Sequence, residues 1–361
     1  MQKHLATMPQ PPIQKAMICS EGVPAIRTHT QGGDFLEQTH FLVRGDPNNK
    51  GEVATQSFLT VLMQSKDGEK HWQTPPPSGW RTSYRRRALA EWITDTKEGA
   101  GSLLARVIVN RLWQHLMGQG IVATPSDFGV QGEPPTHPEL LDYLASELIH
   151  QGWHLKAIHK RILMSATYQQ SVAKNVLAEK RDPTNRLCWR HTRHRLEAEA
   201  IRDSLLAVSG ELDTTMYGPG TLDESMKRRS IYFMVKRSKL IPMLRLFDGP
   251  DALLGIGSRP STTIAPQALL LLNNPNIRAY AQNFAHRASP KPETPAGDAI
   301  LSAYLLALSR PPAPDEKADA LAFLQAQTAS YLSANPSEAG QLALTDFCQA
   351  LMGLNEFIYV D

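Results

Sequence analysis

The sequence predicts a mainly α-helical protein, a multi-helix domain with αα-hairpins and a small β element. Three observations carry that expectation. From Arg81 onward, apolar residues recur at i, i+3 and i+4 in one segment after another, the period of helices with one buried face. Glycine and proline fall where those segments start and stop. Alternation of period two is confined to short stretches near residues 39–62 and 230–236.

The elements follow in order. Residues 1–80 read as an irregular and β segment, the tail of an upstream domain plus a linker, with a proline-rich tract at Thr74 to Gly79. Within it, Thr39 to Gly45 and Glu52 to Leu62 read as strands joined by the turn Asp46-Pro47-Asn48-Asn49. A lone hairpin is marginal in water, so this segment is expected to complete a sheet supplied from elsewhere. Residues 81–361 form the helical domain, with the motifs in 81–288 and C-terminal helices in 297–361.

Tyr84–Thr94 and Leu103–Met117 are the first helices, the second halted by Gly118 and Gly120. Thr136-His137-Pro138-Glu139 reads as a helix start, with Thr136 as the cap and Glu139 completing a capping box. That helix runs through Leu140, Leu141, Leu144 and Leu148 to a break at Gly152. A second places Leu155, Ile158, Ile162 and Leu163 on one face, making an αα-hairpin.

Beyond Arg181-Asp182-Pro183, Leu196–Ser209 is a helix closed by Gly210, and Gly218-Pro219-Gly220 a loop. Ser230 to Lys236 reads as a strand, Ile231, Phe233 and Val235 alternating with Tyr232, Met234 and Lys236. Phe247 to Asp251 and Gly255 to Pro260 are turns, and Gln267 to Leu272 is a short apolar helix behind Pro266. Amphipathic helices at Ile277–Ala288, Ala299–Ser309, Asp315–Tyr331 and Leu342–Leu354 follow, the first two separated by a linker at Ser289 to Gly297.

Composition narrows the function classes. At 361 residues, 42% hydrophobic and 20% charged, the chain has the balance of a globular protein able to bury a large core. A net charge of +3 is too small to imply nucleic acid, and no apolar run approaches the ~18 residues of a membrane span. The N-terminal MQKHLATMPQPPIQKAMICSEG lacks the continuous apolar stretch of a signal peptide. Cys19, Cys188 and Cys348 are far apart and outside any C-x-x-C or C-x-x-C-H pattern, so no disulfide framework, no structural zinc and no covalent haem cofactor are expected. Cys188, beside Trp189, Arg190 and His191, reads as a buried, inert thiol.

Two constellations are candidates for chemistry. The loop from Thr124 to His137 holds Asp127, Glu133 and His137 on Pro/Gly-restrained backbone. Asp127 and His137 are catalytic candidates, since a carboxylate can orient a histidine acting as general base. The plainer account has Asp127 capping a turn, Glu133 bound to an arginine and His137 covering a helix start. Asn110 and Arg111, set among Val107, Ile108, Leu112 and Trp113, are ligand-binding candidates or a buried network tying their helix to that loop.

The second constellation is Arg228, Arg229, Asp248, Asp251, Arg259, Thr262 and Thr263. Guanidinium forks match carboxylate or phosphate oxygens in two-point geometry. Arg229, Arg259 and Thr263 are therefore ligand-binding candidates for an acidic sugar, and Asp248 a third catalytic candidate. Latching of loops by Arg–Asp pairs is the plainer account.

Other clusters carry less. His150 and His154 have the i, i+4 spacing of metal ligands, but Gly152 breaks the shared face, and no metal site is expected. The basic run Arg190 to Arg195 reads as exchanging locally with Glu197, Glu199 and Asp203. No G-x-S-x-G, Walker loop or dinucleotide fingerprint is present.

Five segments resemble the C-terminal, cytochrome-associated domain of unknown function (PSD-one type) of planctomycetes and related bacteria. They are RVIVNRLWQ with SDFGVQGEPPTHPELLDYLA; GWHLKAIHKRILMSATY; DPTNRLCWRH with RLEAEAIRDSLLAVSG; RRSIYFMVKRS with LRLFDGPD and SRPSTTIAPQALLLLNN; and LTDFCQALMGLNEFIYVD. They run from about Arg87 to the end, and FLVRGDPNNKGEV resembles the joint just upstream of that domain. The resemblance implies the C-terminal part of a longer exported or periplasmic architecture, in company with c-type cytochrome and carbohydrate-binding-like modules. Its expected role is an accessory or interaction module whose partner is the upstream-domain protein or a cytochrome-type module, with carbohydrate as a further ligand. The rival expectation is a carbohydrate-active hydrolase or lyase that joins the Asp127/His137 loop to Arg229 and Arg259.

Overall fold

The computed structural model describes residues 40–65, 68–80, 82–236, 238–251 and 255–360. Cys19 lies outside them. The chain divides into two compact units. Unit 1 takes the described residues of Met1–Ala123 with Phe128–Ser165, and unit 2 takes Thr124–Asp127 with those of Ala166–Asp361.

Unit 1 opens with β1 (His40–Leu42) and β2 (Lys50–Val53), an antiparallel pair with no third strand among the described residues. The Asp46 carboxylate accepts from the Asn48 N–H at 2.9 Å, as the turn chemistry of that stretch requires. The expected second strand stops short of Leu62: Thr60–Leu62 is a 3-10 turn, and Phe58 is drawn into an aromatic core instead. Its ring stacks on Trp92 at 5.1 Å and meets the edge of Trp72 at 5.6 Å. Helices α1 (Glu69–Trp72) and α2 (Arg85–Thr94) supply those indoles, so buried aromatics join this segment to the first helices.

The main layer of unit 1 is α3 (Gly101–Met117) packed on α4 (Pro138–His150) and α5 (Leu155–Leu163). Leu141, Leu144 and Leu148 of α4 and Ile158 and Ile162 of α5 are buried, with Ala105, Val109, Trp113 and Met117 of α3. Two details of the expected hairpin change. Leu140 is only half-buried, and Leu155 and Leu163 are exposed, because the nine-residue α5 buries the narrow stripe centred on Ile158 and Ile162. Thr136 is not the cap. His137 holds that position without a side-chain bond, and the Thr136 hydroxyl donates to the Ile121 carbonyl at 3.3 Å.

Unit 2 contains α6 (Val176–Arg181), β3 (His194–Arg195), α7 (Ala198–Ser209), α8 (Pro242–Leu246), α9 (Ala265–Asn273) and α10 (Pro275–Ala288). It continues with α11 (Ala296–Leu308), α12 (Pro314–Tyr331), α13 (Ala339–Met352), α14 (Asn355–Ile358) and β4 (Tyr359–Val360). Its core joins Ile201, Leu205 and Leu206 of α7 to Ile277, Phe284, Ile300, Phe347 and Met352 of the later helices. Gly210, at φ +79°, ends α7 in the left-handed conformation that glycine adopts without strain. The pairing of β3 with β4, His194 with Val360 and Arg195 with Tyr359, was not expected, because Arg190 to Arg195 reads as a surface charge run.

The predicted strand at 230–236 is a further correction. Ser230–Tyr232 is a 3-10 turn, followed by an isolated bridge between Thr221 and Phe233. Side chains of α7 take up backbone groups at and just before the start of this segment. The Ser230 N–H donates to the Asp203 carboxylate at 2.7 Å, and the buried Arg202 donates to the Arg228 carbonyl at 3.1 Å and to the Met226 carbonyl. Mainly α architecture with a small β element therefore stands, with the later β element at the chain terminus.

Candidate functional site

Among the described residues, each unit carries an open groove beside singled-out residues. In unit 1 a groove of about 400 Å³ runs between α3, α4 and the Phe128–Pro135 loop. Leu103, Val122, Phe128 and Leu141 give it apolar walls, and Arg106 and Asp142 pair at 2.7 Å on its rim. Asn110 explains how the start of this loop is held. Its buried side chain donates to the Val122 carbonyl at 3.0 Å and accepts from the Val122 N–H at 2.8 Å, satisfying both backbone groups as a strand neighbour would. Gly120 is required there, since a Cβ would sit 2.6 Å from the Val122 oxygen and 2.7 Å from the Asn110 amide. Asn110 is thus engaged in the fold, while Arg111 on the same helix is exposed.

His137 caps α4 in unit 1, its Nδ1 lying 3.0 Å from the Thr136 hydroxyl. Asp127 belongs to unit 2, where its N–H donates to the Thr124 carbonyl and its own carbonyl accepts from the Thr124 hydroxyl, both at 2.9 Å. These bonds close a turn through the backbone of Asp127. His150 ends α4 and His154 precedes α5, with Gly152 at φ +64° between them. Among the described residues no group of three His, Cys, Asp or Glu is placed to hold a metal ion.

In unit 2 a groove of about 490 Å³ is lined by Leu240, Pro242, Arg245, Leu246, Asp248 and Ile264. Asp248 sits at φ +62° and accepts from the Arg195 guanidinium at 2.6 Å, the Thr262 N–H at 2.8 Å and the Thr262 hydroxyl at 2.8 Å. Burial raises the Asp248 pKa, but the hydrogen bonds from Thr262 and Arg195, with the guanidinium charge, outweigh it and leave the carboxyl below its ordinary value. Arg195 also donates to the Phe247 and Thr262 carbonyls, and Gln267 ties the Leu246 and Thr262 carbonyls at 3.0 and 3.1 Å. Three segments of the chain meet at this latch.

The other candidates are similarly placed. Arg259 pairs with Glu199 at 2.6 Å and Glu197 at 3.4 Å, Arg229 reaches Asp203 at 3.5 Å, and the Thr263 hydroxyl lies 3.2 Å from that of Tyr359. This corrects the expected local exchange. Arg195 crosses to Asp248, and the acids of α7 receive arginines from far along the chain. Cys188 is half-buried rather than buried; desolvation and the Asp182 charge push its thiol pKa up, so it is a weak nucleophile at neutral pH.

A family match spans residues 85–324, to the family described as "Protein of unknown function (DUF1553)". The chain belongs to that family. No curated protein and no solved structure matches it. The DUF1553 match covers both grooves, the Asn110 clasp and the Asp248 latch, and ends within α12. Residues that the sequence left unread fall inside it. Arg202 lies in the buried stripe of α7 with Ile201, Leu205, Leu206 and Ser209, and its guanidinium sits 4.6 Å over the Phe233 ring. An arginine on an apolar face was the available signal, because such a charge must find partners to be buried.

Proposed function

We propose that this DUF1553 chain is a non-catalytic interaction module, an accessory part of an exported bacterial assembly containing cytochrome-type and glycan-related modules. One observation carries the reading. Asp248, the candidate acid on the unit 2 groove, is held ionised by Arg195 and Thr262, so it is a poor proton donor and its oxygens are already engaged. Arg259 and Asn110 are likewise engaged by partners within their own units. Such a chain uses its polar residues to hold loops in shape and offers surface to a partner. It carries no haem of its own in this reading, and electron transfer belongs to the partner.

The test mixes the purified full chain with the purified cytochrome-type module encoded beside it and follows complex formation by light scattering. A stoichiometric complex, with no Soret absorbance from this chain alone, is the expected result. The reading fails if no complex forms and the chain shortens a polysaccharide instead. Loss of that activity in Asp127→Asn, His137→Ala and Arg229→Lys with unchanged melting would identify the hydrolase or lyase.

A further inference from the structure

In the segment predicted as a strand, Phe233 is buried, while Ile231 and Val235, which a sheet would bury with it, face solvent. Ile231 is 73% exposed and Val235 82%, with Met234 at 48%. Beside them lie Met216 at 67% and Tyr217 at 65%. The two stretches run side by side within unit 2. The Tyr217 N–H donates to the Tyr232 hydroxyl at 2.8 Å, the Thr221 N–H to the Tyr232 carbonyl at 3.1 Å, and the Met234 N–H to the Thr221 carbonyl at 2.8 Å. Two adjoining stretches thus expose five large apolar side chains. Apolar residues gathered in this way, unlike ones scattered singly, mark a docking surface.

The region is held in this form. Arg228 stacks on the Tyr232 ring at 3.6 Å and donates to the carbonyls of Thr215, Tyr217 and Pro219, while Asp203 and Arg202 anchor Ser230 from α7. Cationic residues border the patch: Lys227, Arg229, Lys236 and Lys239 fall between Met226 and Leu240, a stretch of sequence with no Asp or Glu. Lys227 is paired with Glu211, and Arg229 reaches Asp203 at 3.5 Å, while Lys236 and Lys239 are exposed beside the apolar residues. Acids lie close by: Asp213 bridges to Arg228 just before Met216, and Asp223, bonded to Ser225, acts on Lys239.

We propose that this face docks on an anionic lipid surface. Met216, Tyr217, Ile231 and Val235 enter the boundary between headgroups and acyl chains, and Arg229, Lys236 and Lys239 meet the lipid phosphates. Exposed aliphatic side chains ringed by lysine and arginine match that boundary, which is apolar below and anionic above. A tyrosine suits it too, with an apolar ring and a polar tip. A second copy of the chain is a poorer occupant, because a two-fold contact would set this cationic rim against itself. Nucleic acid offers phosphates but no apolar layer for Ile231, Val235 and Met216. The inference does not depend on the proposed partner.

The full chain is sedimented with vesicles of phosphatidylcholine, with and without phosphatidylglycerol. Binding to the phosphatidylglycerol vesicles, weakened by salt, is expected. Ile231→Asp with Val235→Asp should weaken it by about tenfold or more, since two apolar side chains leave the acyl boundary, and Lys236→Glu with Lys239→Glu should weaken it as well. Both pairs are exposed, so their melting curves should match the parent. A Tyr217→Trp chain gives a second readout, a blue shift of emission on adding the same vesicles. The proposal is overturned if the chain stays in the supernatant, if the apolar variants sediment like the parent, or if the tryptophan emission does not move. Use of the same residues to bind an acidic protein, without vesicle binding, overturns it equally.

Discussion

The Asp248 carboxylate meets the Arg195 guanidinium at 2.6 Å across 53 residues of sequence, with both side chains largely buried. The bond ties β3 to the turn that follows α8, and Thr262 closes the same carboxylate from a third segment. Removing either charge strands the other in a poorly hydrated site. Asp248→Ala and Arg195→Ala should each lower stability by about 3–5 kcal/mol in denaturant melts, the loss usual for one partner of a buried pair. The acid limb has a defined sign. Because the folded carboxyl lies below its ordinary 3.8, its contribution is fully present above about pH 4 and is lost as pH falls further. A parent-to-Asp248→Ala difference that stayed constant through that fall would contradict the assignment.

Asn110 offers a test of the loop clasp. Asn110→Ala leaves the Val122 N–H and carbonyl buried without that partner, which should destabilise by about 2–6 kcal/mol at ~1–3 per orphaned group. Gly120→Ala should be destabilising in the same assay, as its Cβ would collide with the atoms that make the clasp. Wild-type melting in both variants would mean that the loop is held by something else.

The αα-hairpin makes a paired prediction. Leu144, 3% exposed, should lose about 2–5 kcal/mol on substitution by alanine, whereas Leu155→Ala, at a 44% exposed position, should change stability by less than about 1 kcal/mol. Equal losses at both positions would show that the outer face of α5 is covered.

A surface network supplies a second pH-dependent element. Arg310 forks onto Glu316 with two bonds of 2.7 Å and onto Glu356 at 2.6 and 2.7 Å, joining the start of α12 to α14. Bonds from Arg310 and the Ala313 N–H hold Glu316 at about 2, against an ordinary 4.5. Its contribution is therefore present above pH 4.5 and is lost progressively towards pH 2. Melting temperatures of the parent and Glu316→Gln should differ at neutral pH and converge by pH 2; parallel curves would remove Glu316 from the acid response.

Apolar period and punctuation determined the longer helices, while the short α1, α6, α8 and α14 carry too few residues to show a period and were not read from the sequence. The order of apolar residues in α4, α7, α10 and α12 and the stops at Gly118 and Gly210 are local signals, requiring only that one face be buried and that a terminus find its turn residue. The same local logic identified the turn at Asp46 and the polar clasp at Asn110 as one of two alternatives. It misjudged Ser230 to Lys236, where alternation reads as a strand but Asp203 and the buried Arg202 take up the neighbouring backbone groups. It also misassigned partners. Arg195, Glu199 and Asp203 lie close in sequence and look self-sufficient, yet they bond to Asp248, Arg259 and Ser230. Residue spacing reveals which side chains are charged or apolar, while an ion pair depends on which segments packing brings within a few ångströms. Only the tertiary structure decided that, because burial of the helix faces sets the approach of the loops and each buried charge then takes the partner that this approach delivers.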